Sequence, residues 1–148
     1  MYTVKEVAKL LDLTEHTVRF YTDKGLVPSI QRDKNNNRLF NDASVHWLTG
    51  AKRLKKSGMS VDDIKKYVDL CLEGESTVEE RYAMIQKQKE VVFAQLEEVK
   101  SMAEYITKKE KHYQDIIEHV IPDDTNPALW ENDKISKISC SLSNNDSK

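Results

Sequence analysis

Apolar residues recur at helical spacing from the start of the chain, where Val4, Val7 and Leu11 fall on one face. Thr3 precedes this stretch, and Glu6 follows three residues later. That spacing lets a threonine side chain and a carboxylate cap each other's backbone N–H groups, as in a capping box. The pattern predicts a first helix that begins immediately after Thr3.

A second short helix is indicated by the segment "TEHTVRFYTDKG". Thr14 is a suitable N-cap, and Gly25 can take the left-handed conformation that ends a helix. The helix should therefore run to about Lys24. Two short helices joined by a tight connector predict a helix-turn-helix unit.

The polar run at residues 33–37 lies between "SIQR" and "NRLF", and Asp and Asn are favourable turn residues. A small β-hairpin with a basic tip is therefore predicted. Asn41 can cap a third helix that ends at Gly58. Ser60 can cap a fourth helix, which Gly74 ends.

The longest element begins at Ser76 or Thr77 and contains no proline or glycine before Pro122. Its apolar positions alternate in steps of four and three, which is coiled-coil periodicity. One mostly apolar seam on so long a helix must be buried against a partner, and a second copy of the chain is expected. The predicted dimerisation positions are Ile85, Lys89, Val92, Leu96, Val99, Ala103, Ile106 and Glu110.

Two of these seam positions are charged, and they indicate how the copies are oriented. A parallel pair would place Lys89 against Lys89 and Glu110 against Glu110. An antiparallel pair would place Lys89 against Glu110, with the two-fold axis near Val99. The charges therefore favour an antiparallel coiled coil.

Three regions follow from these elements. Residues 1–74 should form the head and residues 75–121 the dimerisation helix. Residues 122–148 are rich in Ser, Asn, Asp and Lys and are predicted to be a largely disordered tail. Leu129 and Trp130 are the exceptions, since both could pack back onto the body.

Charge is distributed unevenly along the chain. Residues 1–58 carry 11 Lys and Arg against 6 Asp and Glu, so this part is +5 within a chain of net charge −2. A basic head on an otherwise acidic chain is typical of proteins that bind a polyanion.

Only two cysteines occur, Cys71 and Cys140, and neither lies in a CxxC motif. This usage fits a reducing compartment, and with no apolar run long enough to span a bilayer we expect a cytoplasmic location.

Five features together resemble the MerR family of bacterial transcription regulators. They are "YTVKEVAKLL", "TVRFYTDKGLV", "RDKNNNRLF", "KRLKKSGMSVDDIKKYV" and the long helix that follows, and they cover about residues 1–120. The resemblance implies a mainly α fold, with a winged helix-turn-helix DNA-binding head followed by a long antiparallel coiled-coil dimerisation helix. It also implies a homodimer that binds double-stranded, pseudo-palindromic promoter DNA and distorts it to control access of RNA polymerase.

Residue roles can be carried over from the family onto matching positions. Arg19 would reach a guanine in the major groove, while His16 and Thr17 lie near the helix N-terminus, where bases or phosphates are contacted. The Tyr21 hydroxyl would donate a hydrogen bond to a phosphate, and the hairpin would contact the DNA backbone. The implied DNA-binding residues are His16, Thr17, Arg19, Tyr21, Lys34, Asn37 and Arg38. Phe20 and Phe40 depart from the family, which commonly has tyrosine at both positions.

The signal to which such a regulator would respond is less well defined. The segment "GESTVEERYAMIQKQKEVVFAQLEEV" resembles the branch containing small-molecule and aldehyde-responsive regulators, yet Arg53 stands at about the position of that branch's reactive cysteine. We see no converging set of metal ligands, and no cofactor is expected. The candidate effector or redox residues are Cys71, Tyr67 and Trp130.

No nucleophile–base pair or phosphate loop is visible, so an enzyme is not expected. Two other functions remain open from sequence. One is a repressor that responds to no effector, and the other is a coiled-coil adaptor that does not bind DNA. The adaptor would leave the basic head without a role.

Overall fold

The computed structural model describes residues 1–130, and within them the fold is mainly helical, as expected. The elements in chain order are β1 (Tyr2–Thr3), α1 (Val4–Leu10), α2 (Glu15–Asp23), β2 (Gln31–Arg32), β3 (Arg38–Phe40), α3 (Asp42–Lys56), α4 (Val61–Glu73) and α5 (Val78–Ile117). A single 3₁₀ turn, Glu75–Thr77, joins α4 to α5.

Each predicted helix cap in the head is present, because these caps depend on contacts within one turn. The Thr3–Glu6 capping box starts α1. The side chains of Thr14, Asn41 and Ser60 accept backbone N–H groups at 3.0, 2.8 and 3.1 Å and start α2, α3 and α4. The local sequence therefore sets the beginnings of all four helices.

The hairpin is present, and a strand that the sequence did not predict joins it. Strands β2 and β3 pair antiparallel, with Gln31 opposite Leu39. The additional strand, β1, pairs with the other edge of β3 and places Tyr2 opposite Phe40. The sheet order is therefore β1-β3-β2, and the N-terminus of α1 is fastened to the hairpin.

The core of the head lies where the helix-turn-helix, the sheet and helices α3 and α4 meet. Its largest fully buried apolar side chains are Phe40, Leu26, Leu48, Ile64, Val7 and Val18. Phe40 carries the sheet into this core. The Phe40 side chain is 0% exposed. A tyrosine at this position, as is common in the family, would therefore carry its hydroxyl on a buried ring.

The chain forms two compact units, Met1–Glu98 and a second that begins at Val99. The first unit extends beyond the predicted head boundary at residue 74, because the early turns of α5 bond to the head. Gln88 Nε2 donates to the carbonyl oxygen of Ser57, between α3 and α4, at 2.8 Å.

The long helix ends at Ile117 rather than near residue 121. His119 takes a left-handed conformation (φ 58°), and the N–H of Val120 bonds back to the carbonyl of Asp115 at 2.9 Å. This is the hydrogen bond of a Schellman motif, so the helix stops before Pro122 could end it. Val120 therefore lies outside the helix.

Local hydrogen bonds connect the described part of the tail, residues 122–130, to the end of α5. His112 Nε2 lies 2.6 Å from Asp124 Oδ1, and Trp130 Nε1 donates to the backbone oxygen of Asp124. The remainder of the predicted disordered tail, with Cys140, lies outside the described residues.

Two kinds of feature are absent from residues 1–130. No helix in that range is long and apolar enough to cross a membrane. Within the same range, His, Cys, Asp and Glu side chains nowhere gather in a group of three that could hold a metal ion.

Candidate nucleic-acid interface

Helix α2 buries one face and presents the other to solvent. Val18 is fully buried, whereas His16 and Arg19 are exposed. Arg19 Nη2 forms an ion pair with Glu15 Oε2 at 2.8 Å, one turn earlier, and both side chains remain nearly half exposed. A pair this accessible is weak, so the guanidinium can exchange Glu15 for another anion at small cost.

Tyr21 is not placed as the sequence interpretation expected. Its ring lies in the core with 6% of its surface exposed, because position 21 is three residues after Val18 and shares its buried face. Burial raises the pKa of the Tyr21 hydroxyl. The ring is therefore a core element of α2, and its contact with phosphate stays a prediction.

The hairpin turn is organised by one carboxylate. Asp33 Oδ1 accepts the backbone N–H groups of Asn35 and Asn37, each at 2.8 Å, and Asp33 Oδ2 accepts Asn37 Nδ2 at 3.0 Å. The side-chain bond from Asn37, followed by its backbone bond, lowers the pKa of Asp33. Asn37 thus builds the turn, and Lys34 is exposed at the tip.

Arg38 joins the hairpin to the second helix. Its guanidinium forms an ion pair with Asp23 in the last turn of α2, across fifteen residues of sequence. Arg38 is only 18% exposed, so it does not project freely from the hairpin as the predicted backbone contact would suggest. The pair fixes the hairpin beside α2.

Between the hairpin, α2 and the start of α1 lies an open cleft of about 290 Å³. The residues lining it are Thr3, Val4, Lys5, Glu15, Arg19, Asp33, Asn36, Asn37 and Arg38. Three of the predicted DNA-binding residues, Arg19, Asn37 and Arg38, are therefore brought to one place. His16, Thr17, Tyr21 and Lys34 do not line the cleft.

Lys5 is a cleft residue that sequence reasoning missed. The capping box indicates that Lys5 lies in the first turn of α1. The pairing of Thr3 with Leu39 brings that turn to the hairpin, and no local sequence pattern predicts this pairing. The cleft therefore carries cations from three separate segments.

The candidate effector residues divide into two places. Tyr67 and Cys71 lie one turn apart on α4 and line a separate cavity of about 210 Å³ against α3. Trp130 is not among the residues lining that cavity. Its indole N–H is bonded to Asp124 in the tail turn.

Comparison with known proteins places this head in a family. The family model described as MerR HTH family regulatory protein matches residues 2–71. An uncharacterized HTH-type transcriptional regulator of Haemophilus influenzae is 34% identical over 113 residues, which cover 76% of this chain and 84% of that relative. The Bacillus subtilis regulator AdhR is 32% identical over 78 residues, which cover 53% of this chain and 56% of AdhR.

A solved structure of HiNmlR, a MerR family regulator lacking the sensor domain and bound to promoter DNA, has a TM-score of 0.71 at 34% identity. The match covers 78% of this chain and 91% of that one. The resemblance found in the sequence is thereby confirmed, together with its mainly helical, winged architecture. The chain belongs to the MerR family, whose members are DNA-binding transcriptional regulators and not enzymes.

Proposed function

We propose that this regulator binds promoter DNA as a homodimer, with α2 in the major groove and the hairpin on the flanking phosphate backbone. The observation that carries the proposal is the shared cleft, which brings Arg19 of α2 and Arg38 of the hairpin to one face. In such an arrangement one element reads base edges while another fixes position on the backbone. Promoter-bound HiNmlR, at 34% identity, supports the same partner here.

Dimerisation through α5 is supported by the exposure of its apolar seam. Within Val78–Ile117 no residue is buried. Leu96, Val99 and Ile106 are 46%, 55% and 60% exposed. A forty-residue helix is about 60 Å long and is not stable in water without burying such a seam. We expect a second copy to cover it in the antiparallel orientation, which pairs Lys89 with Glu110.

A two-fold dimer presents two copies of α2, so the bound promoter should be pseudo-palindromic. We propose that the bound dimer also distorts the duplex and thereby controls access of RNA polymerase. This step predicts a promoter with an unusually long spacer between its polymerase recognition elements. Transcription in vitro from that promoter, with spacers of different length, tests it directly.

DNA binding is tested by footprinting on the region upstream of the chain's own gene, followed by fluorescence anisotropy over a range of salt. Arg19→Ala should weaken operator binding by about 1–3 kcal/mol, the value of one bidentate guanine contact. Arg53→Ala removes an exposed arginine of α3 that does not line the cleft, and it serves as the matched control. Equal affinities for the two variants would contradict the assignment of Arg19.

A further inference from the structure

The cavity between α3 and α4 is separate from the DNA-facing cleft and shares no residue with it. It has a volume of about 210 Å³ and a mostly apolar lining. The lining residues are His46, Trp47, Gly50, Leu54, Tyr67 and Cys71.

Gly50 is the first indication that this space is kept open. It lies in the middle of α3, where glycine costs about 0.5–1 kcal/mol relative to alanine. Its φ is not positive, and a Cβ added there would meet no atom within 4 Å. Neither backbone conformation nor packing therefore requires glycine. Its effect is to leave one wall of the cavity without a side chain.

The cavity is open to solvent beside the exposed His46 and Gly50, and its volume indicates the scale of ligand it can hold. An engineered apolar cavity of about 150 Å³ is known to bind benzene. A space of 210 Å³ therefore admits one six-membered ring with a small substituent. Trp47 and Leu54 offer apolar surface to such a ring, since an indole stacks well on another aromatic system.

The α4 side of the cavity carries a hydrogen-bond donor, the Tyr67 hydroxyl, beside Cys71. Burial raises the pKa of the Tyr67 hydroxyl, and interaction with Cys71 raises it further, so the phenol keeps its proton at neutral pH. Arg81 Nη1 lies 3.9 Å from Cys71 Sγ. Arg81 is held there by bonds to Thr77 Oγ1 at 3.0 Å and to the carbonyl of Gly74 at 3.2 Å. The Tyr67 hydroxyl, with the fixed positive charge of Arg81 behind Cys71, favours an anionic acceptor.

We propose that the α3–α4 cavity binds a small monocyclic aromatic carboxylate. Its ring lies against Trp47 and Leu54, and its carboxylate accepts from Tyr67 beside Cys71. The binding is non-covalent. It does not depend on the proposed DNA contacts, because the cavity and the cleft have no residue in common.

The test uses the full chain and benzoate as the probe. The sequence contains two tryptophans, so in a Trp130→Phe background Trp47 is the single tryptophan reporter. We expect a saturable change in Trp47 fluorescence with benzoate. A much weaker response is expected with benzyl alcohol, which has the ring without the charge.

Two variants locate the site. Gly50→Leu fills the cavity and should abolish the benzoate response, while Ala43→Leu, an exposed position on the same helix, should leave it intact. Tyr67→Phe keeps the ring but removes the donor and should raise the Kd for benzoate about tenfold or more. It keeps the proposal testable if the leucine variant does not fold.

Three outcomes would overturn the proposal. They are no saturable response, the same response in Gly50→Leu, and equal binding of benzyl alcohol and benzoate. A fourth would be a dimer weakened by Gly50→Leu in sedimentation, since that would show a second copy covering the cavity.

Discussion

Arg38 of the hairpin and Asp23 of α2 form an ion pair that joins the two DNA-facing elements of the head. The arginine is 18% exposed and the aspartate 61%, so the pair lies at the edge of the cleft and is accessible to solvent from the aspartate side. Arg38 therefore has two roles to separate, namely holding the hairpin against α2 and contacting DNA.

A pair of variants separates these roles. Asp23→Asn breaks the ion pair and keeps the guanidinium, and because the Asp23 side chain is 61% exposed the change should cost less than about 1 kcal/mol of stability. Operator affinity should then change little in Asp23→Asn and fall strongly in Arg38→Ala, as measured by anisotropy. If both variants lose affinity equally, Arg38 acts by positioning the hairpin.

Two glycines should respond to alanine with opposite signs. Gly25 has φ 73°, so alanine there should lower the free energy of unfolding by about 1–2 kcal/mol. Its new Cβ would also lie 2.8 Å from Lys65 Cε, although that flexible chain can move. Gly50→Ala in the interior of α3 should raise the free energy of unfolding by about 0.5–1 kcal/mol. Urea denaturation at fixed protein concentration measures both, and a common sign would refute the argument.

The orientation of the coiled coil can be tested by charge reversal. In an antiparallel pair, Lys89→Glu alone sets two acidic residues against each other at both symmetric contacts and should weaken the dimer. Combining it with Glu110→Lys should restore the dimer, with a coupling energy of about 0.5–3 kcal/mol. Sedimentation equilibrium measures the three variants. An unchanged dimer dissociation constant in Lys89→Glu would contradict this register.

The hairpin turn should loosen in acid. Because the pKa of Asp33 is lower in the folded chain than its ordinary value, the stability from its hydrogen bonds is complete above that ordinary value. The contribution is lost as the pH falls through the lowered pKa. The NMR chemical shift of the Asn35 backbone amide should change with pH along this titration. That pH dependence should be absent in Asp33→Asn.

Asn37→Ala provides the control for the cause. The Asn37 side-chain bond is the largest influence on the Asp33 carboxyl, so its loss should return the pKa of Asp33 toward the ordinary value. An Asp33 pKa that stays equally low in Asn37→Ala would show that the backbone bonds suffice.

Helix caps and turns of this chain were predictable from sequence because the hydrogen bonds that form them join residues three or four positions apart. The side chain of Thr14 bonds to the N–H of Thr17, and Gly25 ends the same helix in the left-handed conformation. The order of helices and the hairpin followed from such signals. The end of α5 did not, because His119 adopts the left-handed conformation without being a glycine or asparagine.

Long-range relations could not be deduced in this way. Tyr21 looked like a surface hydroxyl until the packing of α2 showed its ring in the core. Lys5 reached the cleft only through the pairing of β1 with β3. The cavity at Gly50 required two helices to meet, so no local pattern could indicate it.

The sequence by itself thus determined the helices, their caps, the basic head and the seam of the long helix, since each depends on neighbours along the chain. Tertiary structure alone decided which charges share a cleft and where an empty space remains. Arg38 and Asp23 are fifteen residues apart, and Cys71 and Arg81 are ten apart. Contacts over such separations depend on how whole elements pack, and that is set by the core as a unit.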